Sequence, residues 1–250
     1  MKNYQKINSE TIDRWVKEGW EWGVPLSHEE YLKALNGDWK VLLTPTKFMP
    51  KSWFPSSIVG LKILGLASGG GQQVPIFKAL GADVTVLDYS KEQLKSEEMV
   101  AKRENYHINI VHYDMTKKLP FDDESFDIVF HPVSNVYVED VSHIFKECYR
   151  ILKKNGILVC WLDNGINFIT NDEEKIENHL PFNPLNNKEQ MDLLLKEDSG
   201  IQFSHTIEEQ IGGQLKAGFV LTDLYEDTNG YGRLHELNIP CFLATRAIKK

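Results

Sequence analysis

Two clusters in this chain have the residue types and spacing to do chemistry. The first is Gly65-Leu66-Ala67-Ser68-Gly69-Gly70-Gly71, which packs four glycines into seven residues after the apolar run that starts at Lys62. Glycines at a strand-to-helix turn let a ligand approach the main chain, and the N–H groups at the helix start are free to bind it. The second is Asp88, which closes the run Val84-Thr85-Val86-Leu87. An acid at the tip of the next strand, about twenty residues past the turn, is placed to accept hydrogen bonds from ribose hydroxyls. Together the two predict an adenosine-bearing ligand. Two such ligands compete: a nicotinamide dinucleotide, whose G-x-G-x-x-G fingerprint is approximated as G-x-A-x-x-G over Gly65 to Gly70, and S-adenosylmethionine.

The elements that must position these residues follow from periodicity. From Lys62 onward, short apolar runs rich in β-branched residues (KILGLA, VTVLD, INIVH, FDIVFH, ILVCWL) alternate with helical patterns, the signature of an α/β fold with a parallel sheet covered by helices. The clearest helix is DVSHIFKECYRILKKNG. In it Val141, Ile144, Phe145, Cys148, Ile151 and Leu152 form one stripe, and Lys153, Lys154 and Gly156 are expected to supply a cationic last turn and the stop. Ser27 to Glu30, Ser90 to Gln93 and Thr206 to Glu209 have capping-box spacing. GFVLTDLYED and PCFLATRAI read as a closing strand pair, expected to be antiparallel.

Composition sets the bounds. A chain of 250 residues accommodates one α/β domain with an appendage. Residues 1–58 hold five of the six tryptophans (Trp15, Trp20, Trp22, Trp39, Trp53), and are expected to form a helical, aromatic-rich cap or lid on the domain spanning 59–250. An Asn- and acid-rich segment at about 165–205 is expected to be a substrate-side insert. The net charge of -8 gives no electrostatic footprint for nucleic acid or an anionic membrane, so neither is an expected partner. Without a long apolar run or a secretory apolar block near the start, a cytoplasmic location is expected. Cys148, Cys160 and Cys241 read as reduced core residues, and no histidine has the spacing of a metal site.

The stretch from Leu61 to Leu162 resembles the class I methyltransferase family, in its small-molecule, type 11-like branch. The residues that carry the likeness are Asp114-Met115, Leu119-Pro120-Phe121 with Ser125-Phe126-Asp127, and Arg150-Ile151-Leu152-Lys153-Lys154-Asn155-Gly156. The resemblance implies a Rossmann-like, doubly wound, mostly parallel seven-stranded sheet with an antiparallel last strand, and S-adenosylmethionine as cofactor. It would place the methionine portion on Gly65, Ala67, Ser68, Gly69 and Gly71, the ribose on Asp88, one face of the adenine on Tyr89, and its edge on Asp114 and the Met115 backbone. Two departures stand out: the family's acid is missing at Gly65, and its first loop glycine is Ala67.

His131, at the end of the fourth strand, is expected near the point of methyl transfer, either as a proton acceptor or as a residue that bonds the loop or touches the cofactor through its backbone. The implied activity is methyl transfer to a small-molecule O, N or C nucleophile. The alternatives are a nicotinamide-dependent reductase and a non-catalytic S-adenosylmethionine-binding protein.

Overall fold

The computed structural model describes residues 4–250. Seven strands form one sheet: β1 (Lys62–Leu66), β2 (Asp83–Asp88), β3 (Asn109–His112), β4 (Phe126–His131), β5 (Leu152–Asp163), β6 (Phe219–Asp227) and β7 (Phe242–Lys249). Their order is β3-β2-β1-β4-β5-β7-β6. Pairing is parallel from β3 through β5, and β7 runs antiparallel to both β5 and β6, as the sequence predicts for the closing pair. The strand order reverses between β1 and β4, which opens a crevice outside the carboxyl ends of those strands.

Alternation along the strands sorts side chains onto two faces. On one face Ile63, Val84, Val86, Ile128, Phe130 and Val159 pack against Phe77 of α3 (Val74–Ala79) and against Leu43, Met49, Trp53 and Phe54 of the N-terminal segment. That segment also carries α1 (Tyr4–Lys17) and α2 (His28–Leu35), and the Ser27–Glu30 capping box forms in full. On the other face Leu64, Leu66, Leu87, Val129, Leu158 and Leu162 meet Ile144, Phe145, Cys148 and Ile151 of α5 (Val141–Ile151). Helix α4 (Lys91–Arg103), started by the Ser90 side chain accepting from the Gln93 N–H, links β2 to β3. The remaining helices are α6 (Lys188–Glu197) in the insert, α7 (Gly213–Ala217), which continues a π turn at Glu208–Gly212, and α8 (Gly232–Glu236) between β6 and β7.

One expectation is corrected. Helix α5 stops at Ile151, and Lys153, Lys154 and Gly156 belong to β5. Leu152 is already extended and pairs with Phe126, Asn155 at φ +65° lies in the irregular stretch of β5 that follows, and Lys153 pairs with Asp127 at 2.8 Å. The cationic residue of the last helical turn is Arg150, bound to Glu147 at 2.7 Å. All three cysteines are buried and unpaired.

Candidate active site

The glycine loop is tied down by groups of β2 and α4, which follow it in the chain. Ala67 stands at φ +48°, a left-handed conformation that costs a non-glycine residue about 1–2 kcal/mol. Its N–H donates to the Leu87 carbonyl at 2.7 Å. The Gly69 N–H donates to Asp88 Oδ2 at 3.0 Å, the Gly70 N–H to the Gln93 carbonyl at 3.0 Å, and the Gly71 N–H to Glu97 Oε1 at 2.8 Å. Glu97 is 0% exposed, and burial, aided by the nearby Asp88 charge, pushes its carboxyl up to about 8. Near neutrality it is therefore a protonated strut. Its Oε2 and the Tyr106 hydroxyl lack hydrogen-bond partners among the described residues.

Gly65 is part of β1. A Cβ there would lie 2.6 Å from Val74 Cγ2, so in this packing no acid fits. The loop is held from below by Asp88 and Glu97 instead.

Asp88 ends β2 with both oxygens engaged: Oδ1 accepts from the Ser90 N–H at 2.8 Å and Oδ2 from Gly69. Each carboxylate oxygen keeps a further lone pair for a ligand hydroxyl. Burial raises the Asp88 carboxyl above its ordinary value, opposed by those backbone N–H groups. The Tyr89 ring stacks on His112, with centroids 5.4 Å apart and planes within 10°. Asp114 sits in the turn after β3, accepting from the Thr116 N–H and hydroxyl at 2.9 and 2.7 Å.

Ala67, Ser68, Gly69, Asp88, Tyr89, Asp114 and Met115 all line one cavity of about 540 Å³. This lies within the roughly 300–1,000 Å³ usual for small-molecule sites. Gly65, Gly71 and His131 stand behind its wall. His131 is 0% exposed, with Nδ1 3.0 Å from the Leu66 carbonyl and Nε2 2.8 Å from Asn135 Oδ1. Burial lowers its proton affinity despite those contacts. Asn135 Nδ2 donates to Gln210 Oε1 at 3.0 Å, so the imidazole anchors a buried polar chain that joins the β4 end to the π turn before α7.

The opposite half of the cavity comes from distant chain segments. Trp22 of the N-terminal segment, Tyr137 after β4, Trp161 and Asp163 of β5, Tyr231 after β6 and Phe242 of β7 all line it. Helix α1 lies across both halves: the Ser9 hydroxyl donates to the Tyr89 carbonyl at 2.8 Å, and Asp13 Oδ1 accepts from the Ser90 hydroxyl at 2.6 Å and the Glu92 N–H at 3.0 Å. On the insert side, Asn8 exchanges hydrogen bonds with the Ile201 main chain at 2.6 and 2.9 Å. Asp163, 2% exposed, accepts from the Gly165 N–H at 2.6 Å and Asn167 Nδ2 at 2.9 Å, and burial pushes its carboxyl up to about 6.

Sequence reasoning missed Gln93, Glu97, Asp13 and Asp163. The first two carry a faint signal, since a polar pair at i and i+4 in the opening turns of α4 faces the preceding loop. Asp13 and Asp163 reach the site only through tertiary packing. Among the described residues no cluster of His, Cys, Asp or Glu could hold a metal, and no helix is long and apolar enough to cross a membrane.

A family model described as a methyltransferase domain matches residues 64–160. With the sheet order, the glycine turn and the acids at the tips of β2 and β3, this defines the class: the chain belongs to the class I S-adenosylmethionine-dependent methyltransferases, and S-adenosylmethionine is its cofactor. Among individual proteins it is similar along nearly its whole length to the uncharacterized methyltransferase YbaJ of Bacillus subtilis, at 41% identity over 250 residues and 97% of each chain. A demethylmenaquinone methyltransferase of Staphylococcus aureus is 36% identical over 105 residues, 40% of this chain and 42% of that one. The fold matches an S-adenosylmethionine-dependent methyltransferase from Mesorhizobium loti with a TM-score of 0.65 at 21% identity, covering 80% of this chain and 95% of that one. The nicotinamide alternative falls away.

The residues present fit the cofactor. At Gly69 a Cβ would come within 2.6 Å of Gln93 Cβ and 3.0 Å of Asp88 Oδ2, so only a glycine leaves the cradle open. Gln93 Oε1, buried beside it, has no partner among the described residues.

Proposed function

We propose that this enzyme transfers the methyl group to a small-molecule O, N or C nucleophile held in the half of the cavity under the N-terminal cap. One observation carries the reading: the cavity continues without interruption from Asp88 and Ala67–Gly69 to Trp22, Trp161 and Phe242, and α1 covers both ends. Such an enclosure suits a small acceptor better than a polymer strand. When bound, S-adenosylmethionine supplies a methyl group on a positively charged sulfur, open to direct displacement.

The protein's part is then to hold two reactants in contact and keep water out. The loop N–H groups and Ser68 would carry the methionine portion, Asp88 would accept from the ribose hydroxyls, Tyr89 would stack on the base, and Asp114 with the Met115 backbone would meet its edge. His131 would position the loop by its contact with the Leu66 carbonyl. The reduced, buried cysteines suit a cytoplasmic setting.

Calorimetric titration with S-adenosylmethionine, S-adenosylhomocysteine and NADH tests the site. Binding of the two sulfur compounds alone is expected; binding of NADH alone would sink the assignment. An acceptor screen with S-adenosylhomocysteine release as readout then tests the acceptor class. Turnover confined to nucleic acid or protein acceptors would refute it.

A further inference from the structure

The charge of the cavity wall narrows the acceptor, on the reading that a small molecule occupies the capped half. Among the described residues the wall contains no lysine, arginine or histidine; its ionisable acids are Glu21, Asp88, Asp114, Asp163 and Glu197. A phosphate or carboxylate on the acceptor would lose its hydration and find no side-chain cation in return, a cost of several kcal/mol for a buried charge. A cation meets the opposite conditions. Asp88 and Asp114 stand at the cofactor end, at the tips of β2 and β3.

At the other end, Asp163 closes β5, fixed by Gly165 and Asn167 with a lone pair left on each oxygen. It lies on the same face of β5 as Trp161, two residues earlier. The Trp161 ring is 5.5 Å from that of Trp22 and 5.2 Å from that of Phe242. Aromatic rings grouped beside a buried carboxylate form a receptor for an ammonium ion, which ring quadrupoles and the acid both attract.

We propose that the methyl acceptor is an amine, bound as its ammonium ion beside Trp22, Trp161 and Phe242, with Asp163 as counter-ion and proton acceptor. The ammonium gives one proton to the Asp163 carboxylate, and the freed nitrogen lone pair forms the new N–C bond. The electron pair of the broken S–C bond stays on the donor sulfur, which becomes neutral. The product leaves as a methylated ammonium ion, and Asp163 returns its proton to solvent.

The test uses the full chain saturated with S-adenosylhomocysteine and three probes of one shape, titrated calorimetrically near neutral pH: phenethylamine, 2-phenylethanol and phenylacetate. The amine is expected to bind about tenfold or more tighter than either other probe. Asp163→Asn, which keeps the size and one acceptor oxygen, is expected to abolish that preference. Equal or tighter binding of phenylacetate or 2-phenylethanol overturns the proposal, as does binding of none of the three or an undiminished preference in a folded Asp163→Asn protein. If that variant does not fold, the wild-type ranking decides alone. Failure of S-adenosylhomocysteine itself to bind would instead remove the methyl-transfer site on which the proposal stands.

Discussion

The end of the cavity assigned above to the cofactor comes from consecutive elements, β1 to β3: Ala67, Gly69, Asp88, Gln93 and Glu97 lie within about thirty residues of one another, and Asp114 and Met115 follow β3. The opposite end, proposed above for the acceptor, draws on Trp22, Tyr137, Trp161, Asp163, Tyr231 and Phe242, which span most of the chain. The first end is rigid through short-range hydrogen bonds between a loop and the helix and strand that follow it. The second depends on the N-terminal segment, β5 and the last two strands meeting correctly. A binding function shared by a family can therefore be encoded locally, while selectivity for an acceptor is free to change with the segments that fold over it.

Five substitutions separate the two ends. The largest effect is expected from Glu97→Gln. Folded protein holds the Glu97 proton up to about pH 8, whereas the unfolded chain releases it near the ordinary value of 4.5. Between these limits the folded state binds more protons, so this group makes stability fall as pH rises through the window. Glutamine keeps an acceptor for the Gly71 N–H without an ionisable group. The variant should therefore unfold at higher denaturant concentration than wild type at pH 9, by on the order of 3–5 kcal/mol, and nearly coincide with it at pH 5. Coincidence at pH 9 would show that the carboxyl is not held neutral.

Asp88→Ala should weaken S-adenosylhomocysteine binding by about 1.5–3 kcal/mol, since it removes charge-assisted hydrogen bonds to ribose and frees the Gly69 N–H. Asp163→Asn, at the other end, should leave that affinity within about twofold; equal losses at both sites would erase the distinction drawn above.

His131→Ala should destabilise the fold by about 1–3 kcal/mol in chemical denaturation, because the Leu66 carbonyl and Asn135 lose a buried partner. Its effect on S-adenosylhomocysteine affinity should be well below that of Asp88→Ala. The reverse ranking would put the imidazole in the site.

A smaller loss than that of Asp88→Ala belongs to Asp13→Ala, which cuts α1 from Ser90 and Glu92. It should cost about 1 kcal/mol of cofactor affinity, a few-fold in a titration.

How much of this was legible follows the same division. That Asp88, Tyr89, Asp114 and Met115 would gather at the strand tips along one cavity was readable because strand, turn and acid succeed one another at short, fixed intervals. The sheet and its antiparallel closing pair were readable from apolar runs of strand length. The acid missing at Gly65 is a departure visible in the sequence, but that Val74 fills the space such an acid would need is a contact no spacing reveals. His131 was placed at the correct strand end, yet whether its ring reaches the cavity or turns beneath the Leu66 carbonyl depends on packing across β1. The stop of α5 was misjudged because Leu152-Lys153-Lys154 continues a helical pattern, while Asn155 at positive φ starts the strand's irregular entry. Asp163 lies one residue beyond the apolar run that marked β5, and nothing near it in sequence shows that Trp22 and Phe242 flank the same space.

Helix α1 is bonded at once to the tip of β2, through Ser9 and Asp13, and to the insert, through Asn8. A single rigid element shared in this way makes the two ligands thermodynamic neighbours even where they do not touch. If occupancy of the cofactor end draws α1 inward, the acceptor end is prepared by the same free energy, and reciprocity requires the acceptor to tighten the hold on the cofactor by an equal factor. The enzyme would then favour the ternary complex over either binary one, and the donor would be least exposed to water when there is something to methylate.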